Sequence, residues 1–155
     1  MTTILLSAAG APGSARLIRA LHENGERTVR IVGTDMSENA IGRFLCDAFH
    51  VVPPGSDPGY SDAILELVEQ ESVDVVLPPS SFDLQALSET RGHFPVPVLV
   101  ASPQTVHRSN DKAESYELLQ RIGAPTVEFR RVAGAQQVEA AARELGYPDR
   151  AVCFK

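Results

Sequence analysis

The sequence is short of cysteine, of basic residues and of long apolar runs, and each shortage removes a class of protein. Only two cysteines occur, Cys46 and Cys153, far apart and outside any Cys-x-x-Cys or Cys/His spacing. That argues against a disulfide scaffold and against a structural zinc site. Lys and Arg total 14 against 20 Asp and Glu, a formal net charge of −6. General nucleic-acid binders and anionic-membrane binders need clustered positive charge, so neither is expected. No apolar run approaches the roughly 20 residues that span a bilayer. The stretch Thr2 to Ala15 lacks the basic segment that opens a signal peptide. A soluble, cytoplasmic chain is the expectation. What is present is ordinary globular composition, 43% hydrophobic and 22% charged over 155 residues. A chain of that size buries roughly 70% of its unfolded surface, enough for one core.

Short apolar runs alternate with helix-period segments, the pattern of a parallel sheet covered by helices. Ile4-Leu5-Leu6, Val29 to Val32, His50-Val51-Val52, Val73 to Leu77 and Pro97 to Ala101 read as five strands. Leu17, Ile18 and Leu21 share a helical stripe, with Gly25 as its stop; Ala40 to Phe49 is helix-compatible, and Ile64, Leu65 and Val68 mark another helix. The fold class expected is α/β, a Rossmann-like doubly wound parallel sheet with five main strands. After residue 108 the pattern changes. Asp111 and Glu114 form a capping-box pair, and Tyr116, Leu119 and Ile122 share a face that ends at Gly123. Thr126 to Val132 alternates like a half-buried strand, Val138 to Leu145 repeats as a helix, and Ala151 to Phe154 begins a further strand before Lys155. The expected division is 1–108 and 109–155.

Several residues could carry chemistry. The turn Ser7 to Ser14 holds Gly10 and Gly13, and Asp35 ends the second strand, as in an incomplete dinucleotide fingerprint. With the first glycine missing and Pro12 lacking an N–H, the turn reads more readily as a tight strand-to-helix connection. Past the strand ends lie Asp35, Ser80, Ser81 and Asp83, in the crevice where open α/β sheets hold ligands. Serine there also serves as a helix cap, and an acid in a first turn suits the helix dipole. The four histidines are scattered and form no catalytic spacing. Lys112, in a first helical turn, and Lys155, at the end of a strand, would bracket a polyphosphate if they converge.

The run Asn110-Asp111-Lys112, the turn Gly123-Ala124-Pro125-Thr126, the segment Leu145-Gly146-Tyr147-Pro148 and Val152-Cys153-Phe154-Lys155 follow one another in an order that resembles the start of an ATP-grasp domain. Gly33-Thr34-Asp35-Met36, Phe49 to Pro53 and Asp74 to Pro78 are similar to the pre-ATP-grasp domain of carbamoyl-phosphate-synthase-like proteins. The resemblance implies a ligase that activates a carboxylate with MgATP as an acyl phosphate and joins it to an amine or thiol. It implies nucleotide contacts at Lys112 and Lys155, and substrate contacts among Gly10, Asp35, Ser80, Ser81 and Asp83. ATP and Mg²⁺ are thus the parent's cofactors, and a small carboxylate or amine its substrate. The glycine-rich loop and metal-binding acids of such ligases lie beyond Lys155. The expectation is therefore an N-terminal fragment that binds no cofactor tightly and is inactive alone, with self-association through a sheet edge or the first domain compatible with it. A free-standing Rossmann-like nucleotide- or metabolite-binding module is the alternative.

Overall fold

The apolar runs of the first hundred residues offer no polar face to water, so they stack side by side and take cover from helices. The computed structural model of the chain describes residues 1–154. Its strands are β1 (Thr2–Leu6), β2 (Val29–Asp35), β3 (Ala48–Val51) and β4 (Val75–Leu77), all parallel, in the order β3-β2-β1-β4. Leu6 lies beside Gly33 of β2 and Leu77 of β4, which fixes the register at the carboxyl end of the sheet. The chain winds outward from β1 to β3, then returns to the other side of β1. That reversal opens a crevice beyond the ends of β1 and β4.

Alternation along β1 divides the core in two. Leu6 packs with Ile31 and with Ile18 of α1 (Ser14–His22), while Leu5 packs with Val76 on the opposite face. That second face is covered by α2 (Tyr60–Gln70) and α3 (Ser81–Thr90), whose Ile64 and Leu87 are fully buried. Each such side chain stabilises the fold by about 1.5–3 kcal/mol relative to exposure.

Four strands form where five were expected. The stretch from Pro97 to Ala101 makes a single parallel bridge, Val98 beside Val76, with Val76 N–H donating to Pro97 O and Leu99 N–H to Val76 O, each at 2.9 Å. Pro95 and Pro97 lack the N–H groups that a longer ladder uses. The helix expected from Ala40 shrinks to one 3-10 turn, Ile41–Phe44, because β3 begins already at Ala48. Gly42 belongs to that turn, and a Cβ on it would lie 2.3 Å from Ala9 Cβ.

The chain divides into two compact units, Met1–Val106 and His107–Lys155. A helix the sequence pattern did not reveal, α4 (Pro103–Asn110), crosses that division. In the second unit, α5 (Lys112–Arg121) is capped by Asp111, whose Oδ1 accepts from Ala113 and Glu114 N–H at 2.8 and 3.0 Å. The reciprocal half of the capping box is absent, since Asp111 N–H donates to His107 O instead. The helix α6 (Ala135–Glu144) follows. The strands expected at Thr126 to Val132 and Ala151 to Phe154 do not form. Both segments are irregular and lack a partner strand among the described residues. Phe129 packs on Tyr116 instead, ring centroids 5.3 Å apart, while Val127 stays exposed.

Candidate functional site

The turn after β1 must reverse the chain within a few residues, and Ala8 adopts a left-handed φ of 46° to do so. Ala9 N–H donates to Thr34 O, and Ser14 Oγ donates to Ala8 O, which ties the turn to β2 and to the start of α1. Gly10 then lies against the end of β2. Its N–H donates to Asp35 Oδ2 at 2.8 Å, while Asp35 Oδ1 accepts from Ser37 N–H at 3.0 Å. A Cβ on Gly10 would meet that carboxylate oxygen at 2.8 Å and Ala40 Cβ at 2.9 Å. Glycine is required by the close approach itself.

This arrangement bears on the fingerprint reading. A dinucleotide site needs the glycine N–H free for the pyrophosphate and the acid free for a ribose. Here the two groups satisfy each other. Pro12 supplies no N–H, and Gly13, with φ 95°, precedes α1 without a side-chain cap. The turn is a tight connection in which the Gly10 donor is already used.

Beyond the turn lies a cavity of about 540 Å³ lined by Gly10, Asp35, Ser80 and Asp83, with Tyr60, Pro53, Pro54 and Gly55 among its other walls. Four of the five substrate positions expected from the sequence therefore meet in one crevice. Ser81 does not. It is exposed on α3, one residue past the N-cap, where Ser80 Oγ accepts from Phe82 N–H at 3.4 Å. Ser80 thus works partly as the cap that the general rule anticipates.

Asp83 and Tyr60 form the floor. Asp83 is 6% exposed and Tyr60 2%. Gly55 closes the wall beside them, since a Cβ there would lie 2.9 Å from Asp83 Oδ1. Burial, with the charge of Asp35 adding to it, raises the Asp83 carboxyl above its ordinary range, against the opposite pull of Ser7 and Tyr60. Burial, followed by the Asp83 charge, likewise raises the Tyr60 phenol. Tyr60 Oη, Ser7 Oγ and the Asp83 carboxyl are near enough to polarise one another, yet neither hydroxyl completes a hydrogen bond of good geometry. Thr34 Oγ1 shares this condition, and such groups are costly in a core. The sequence reading missed Tyr60; its place at the start of a helix after a Pro/Gly loop gave no sign of where the ring would lodge.

Lys112 lies in the second unit. It is exposed, and its Nζ donates to Ser109 O at 3.5 Å. It lines a separate, open cleft of about 1030 Å³ with Tyr116, Phe129, Arg130, Arg131 and Arg150. Arg131 is tied to Asp111 at 2.6 Å and Arg150 to Glu128 at 3.0 Å, so their charges are partly spent. Lys155, the other expected phosphate contact, lies outside the described residues. Cys46 is no nucleophile: burial first, then Asp47 beside it, pushes its thiol up to about 11. Among the described residues, no three His, Cys, Asp or Glu side chains gather where they could hold a metal ion. Among the described residues the donor set does not fit Mg²⁺. No helix among the described residues is long and apolar enough to cross a membrane.

Residues 4–99 match the family model described as the PylC-like, N-terminal domain. A formate-dependent phosphoribosylglycinamide formyltransferase of Nitratiruptor is 26% identical over 140 residues, 88% of this chain and 34% of that protein. A carbamoyl-phosphate synthase of Methanobrevibacter smithii is 28% identical over 119 residues, 73% of this chain and 30% of its own length. The chain thus spans about a third of the curated relatives it matches. Among solved structures, an ADP complex of N5-carboxyaminoimidazole ribonucleotide synthetase superposes with a TM-score of 0.68 at 19% identity, covering 95% of this chain and 36% of that one. At that identity the likeness speaks for the fold.

Proposed function

Since the chain belongs to the PylC-like N-terminal domain family, we propose that it forms the substrate side of an ATP-grasp ligase, holding a small acceptor molecule in the crevice at the ends of β1 and β4. The relatives are ligases or transferases of this kind, matched along their N-terminal third, in line with the resemblance read from the sequence. In the parent reaction MgATP would convert a carboxylate into an acyl phosphate, which the acceptor then attacks. The part assigned to residues 1–106 is to bind and orient. The floor of Asp83 and Tyr60 is the observation that carries this reading, because a carboxyl buried beside a phenol lines the same cavity as Gly10, Asp35 and Ser80. Lys112 and the cleft around it would meet the nucleotide phosphates, and self-association through the first unit belongs to the same reading.

The second reading, a free-standing nucleotide-binding module, rests on Gly10 and Asp35, and their mutual hydrogen bond counts against it. Backbone NMR separates the two. Titration with small carboxylates and amines is expected to move the amides of Gly10, Ser37 and Gly55, whereas NADH or MgATP is expected to leave these three in place. Movement of the Gly10 and Ala11 amides by NADH at micromolar affinity would reverse the order of the two readings.

A further inference from the structure

Three large apolar side chains stand at the mouth of the crevice, open to solvent. Phe82 is 85% exposed, Met36 69% and Ile41 49%, and all three line the same cavity of about 540 Å³. One exposed apolar residue is ordinary, but several around a single concave opening make a patch that marks a binding surface. Two of them stand on anchored main chain. Phe82 N–H donates to Ser80 Oγ, and the loop before α2 presses closely on its carbonyl, since a Cβ on Gly55 would lie 2.5 Å from Phe82 O. Met36 sits between Asp35, whose O accepts from Val52 N–H at 3.0 Å, and Ser37, whose N–H donates to Asp35 Oδ1 at 3.0 Å. A fixed backbone thus presents both side chains at the opening, where neither adds burial to the fold.

The topology brings them in from two sides. Met36 follows β2 and Phe82 follows β4, and these two strands flank β1. Past the end of β1, Ala8, Gly10 and Ala11 line the cavity and put nothing larger than a methyl group into it. No lysine, arginine or histidine lines it either, so no cation is there to pair with an anionic ligand group. A flat apolar group suits this combination. An aromatic ring packs on phenylalanine in offset or edge-on geometry, and a thioether contacts a ring through its polarisable sulfur. The cavity reaches down to Tyr60 and Asp83, both buried, so a flat protein face would leave it unfilled. Its volume is that of an ordinary small-molecule site, for which roughly 300–1,000 Å³ is usual.

We propose that Phe82 and Met36 are specificity residues that hold a flat apolar group of the acceptor, an aromatic ring or a comparably flat unsaturated one. The proposal rests on the reading of this crevice as the acceptor site and narrows that site to acceptors bearing such a group. A polar group of the same size must shed its water against Phe82 and Met36 without gaining a partner there.

The test is NMR of the 155-residue chain labelled at its methionine methyls, titrated with indole, with cyclohexanol and with erythritol. Met1 and Met36 are the two methionines, so Met1 serves as the internal control. Indole is expected to move the Met36 methyl upfield and the Gly10 and Gly55 amides with it, leaving Met1 in place. It should bind about fivefold more tightly than either alcohol, and Phe82→Ala should weaken it by about the same factor. Met36→Ala, read at the two amides, should weaken it as well. Phe44→Ala removes an aromatic ring 74% exposed but outside the cavity wall, and should change nothing. Far-UV circular dichroism of each variant separates lost binding from lost folding. Equal binding of cyclohexanol overturns the preference for a flat group, and undiminished binding to Phe82→Ala overturns the assigned contact. Met36 shifts that depend on protein concentration without any probe would give the opening to a second copy and overturn the proposal. If small carboxylates or amines move the Gly10 and Gly55 amides while indole does not, the acceptor site stands and its apolar selectivity falls. If none of them does, both fail.

Discussion

The carboxylate of Asp35 reaches back 25 residues to accept the Gly10 N–H at 2.8 Å. One hydrogen bond thereby closes the turn after β1 onto the end of β2 and removes the donor that a dinucleotide would need. Its consequences extend to stability, to ligand choice and to the wall of the crevice.

Gly10→Ala forces a Cβ to within 3 Å of both Asp35 Oδ2 and Ala40 Cβ. The Asp35 side chain is pinned by Ser37, so the turn must shift. The expected loss is about 1–3 kcal/mol in urea denaturation, together with a changed Ser37 amide resonance. An unchanged midpoint would show that the contact relaxes freely.

Asp83 is expected to weaken the fold at neutral pH. Its folded-state pKa is raised, so the folded chain binds the proton more tightly than the unfolded one. Stability is therefore greatest below the ordinary carboxylate pKa and declines as pH rises toward the folded value. Asp83→Asn should raise stability at pH 7 by about 1 kcal/mol, and the gain should vanish below about pH 4. A variant that is less stable than the parent at pH 7 contradicts this sign.

Glu71 behaves in the opposite way. The hydrogen bond from Arg30 at 2.6 Å, then that with His50 at 2.8 Å, hold its carboxyl below the usual range. The stabilisation is fully present above the unfolded value near 4.5 and is lost as pH falls through the lowered folded value. Glu71→Gln should cost about 1 kcal/mol at pH 7 and flatten the acid limb of the stability curve. Parallel curves for the two proteins would remove the network from the account.

Leu87→Ala tests the core beneath the crevice. Leu87 is fully buried with Leu5, Ile64 and Val76. The substitution leaves a void and should cost about 2–5 kcal/mol. Calorimetry reads this as a lower midpoint; a loss under 1 kcal/mol would mean that α3 repacks onto the sheet.

Much of this fold was legible because apolar runs and helical stripes report burial directly. The four strands, α1, α2, α3 and the Asp111 cap follow from local pattern. The fifth strand was misread for a reason equally local: Pro95 and Pro97 limit the pairing of Val98 whatever its hydrophobicity. The alternation at 126–132 depends on a partner strand, which a local pattern cannot reveal. The site was read in part. Gly10, Asp35, Ser80 and Asp83 were identified because strand ends define a crevice in any doubly wound sheet. Tyr60 was not, since only the packing of α2 against Ser7 and Asp83 gives the phenol its place.

The sequence contains no tryptophan and three tyrosines, of which Tyr60 alone is buried. A phenol beside a carboxylate loses its excited state readily, so the emission of Tyr60 depends on what shares the crevice floor. A ligand that reached the Asp83 carboxyl would alter that quenching. The crevice thus carries its own optical reporter, readable without label or added chromophore.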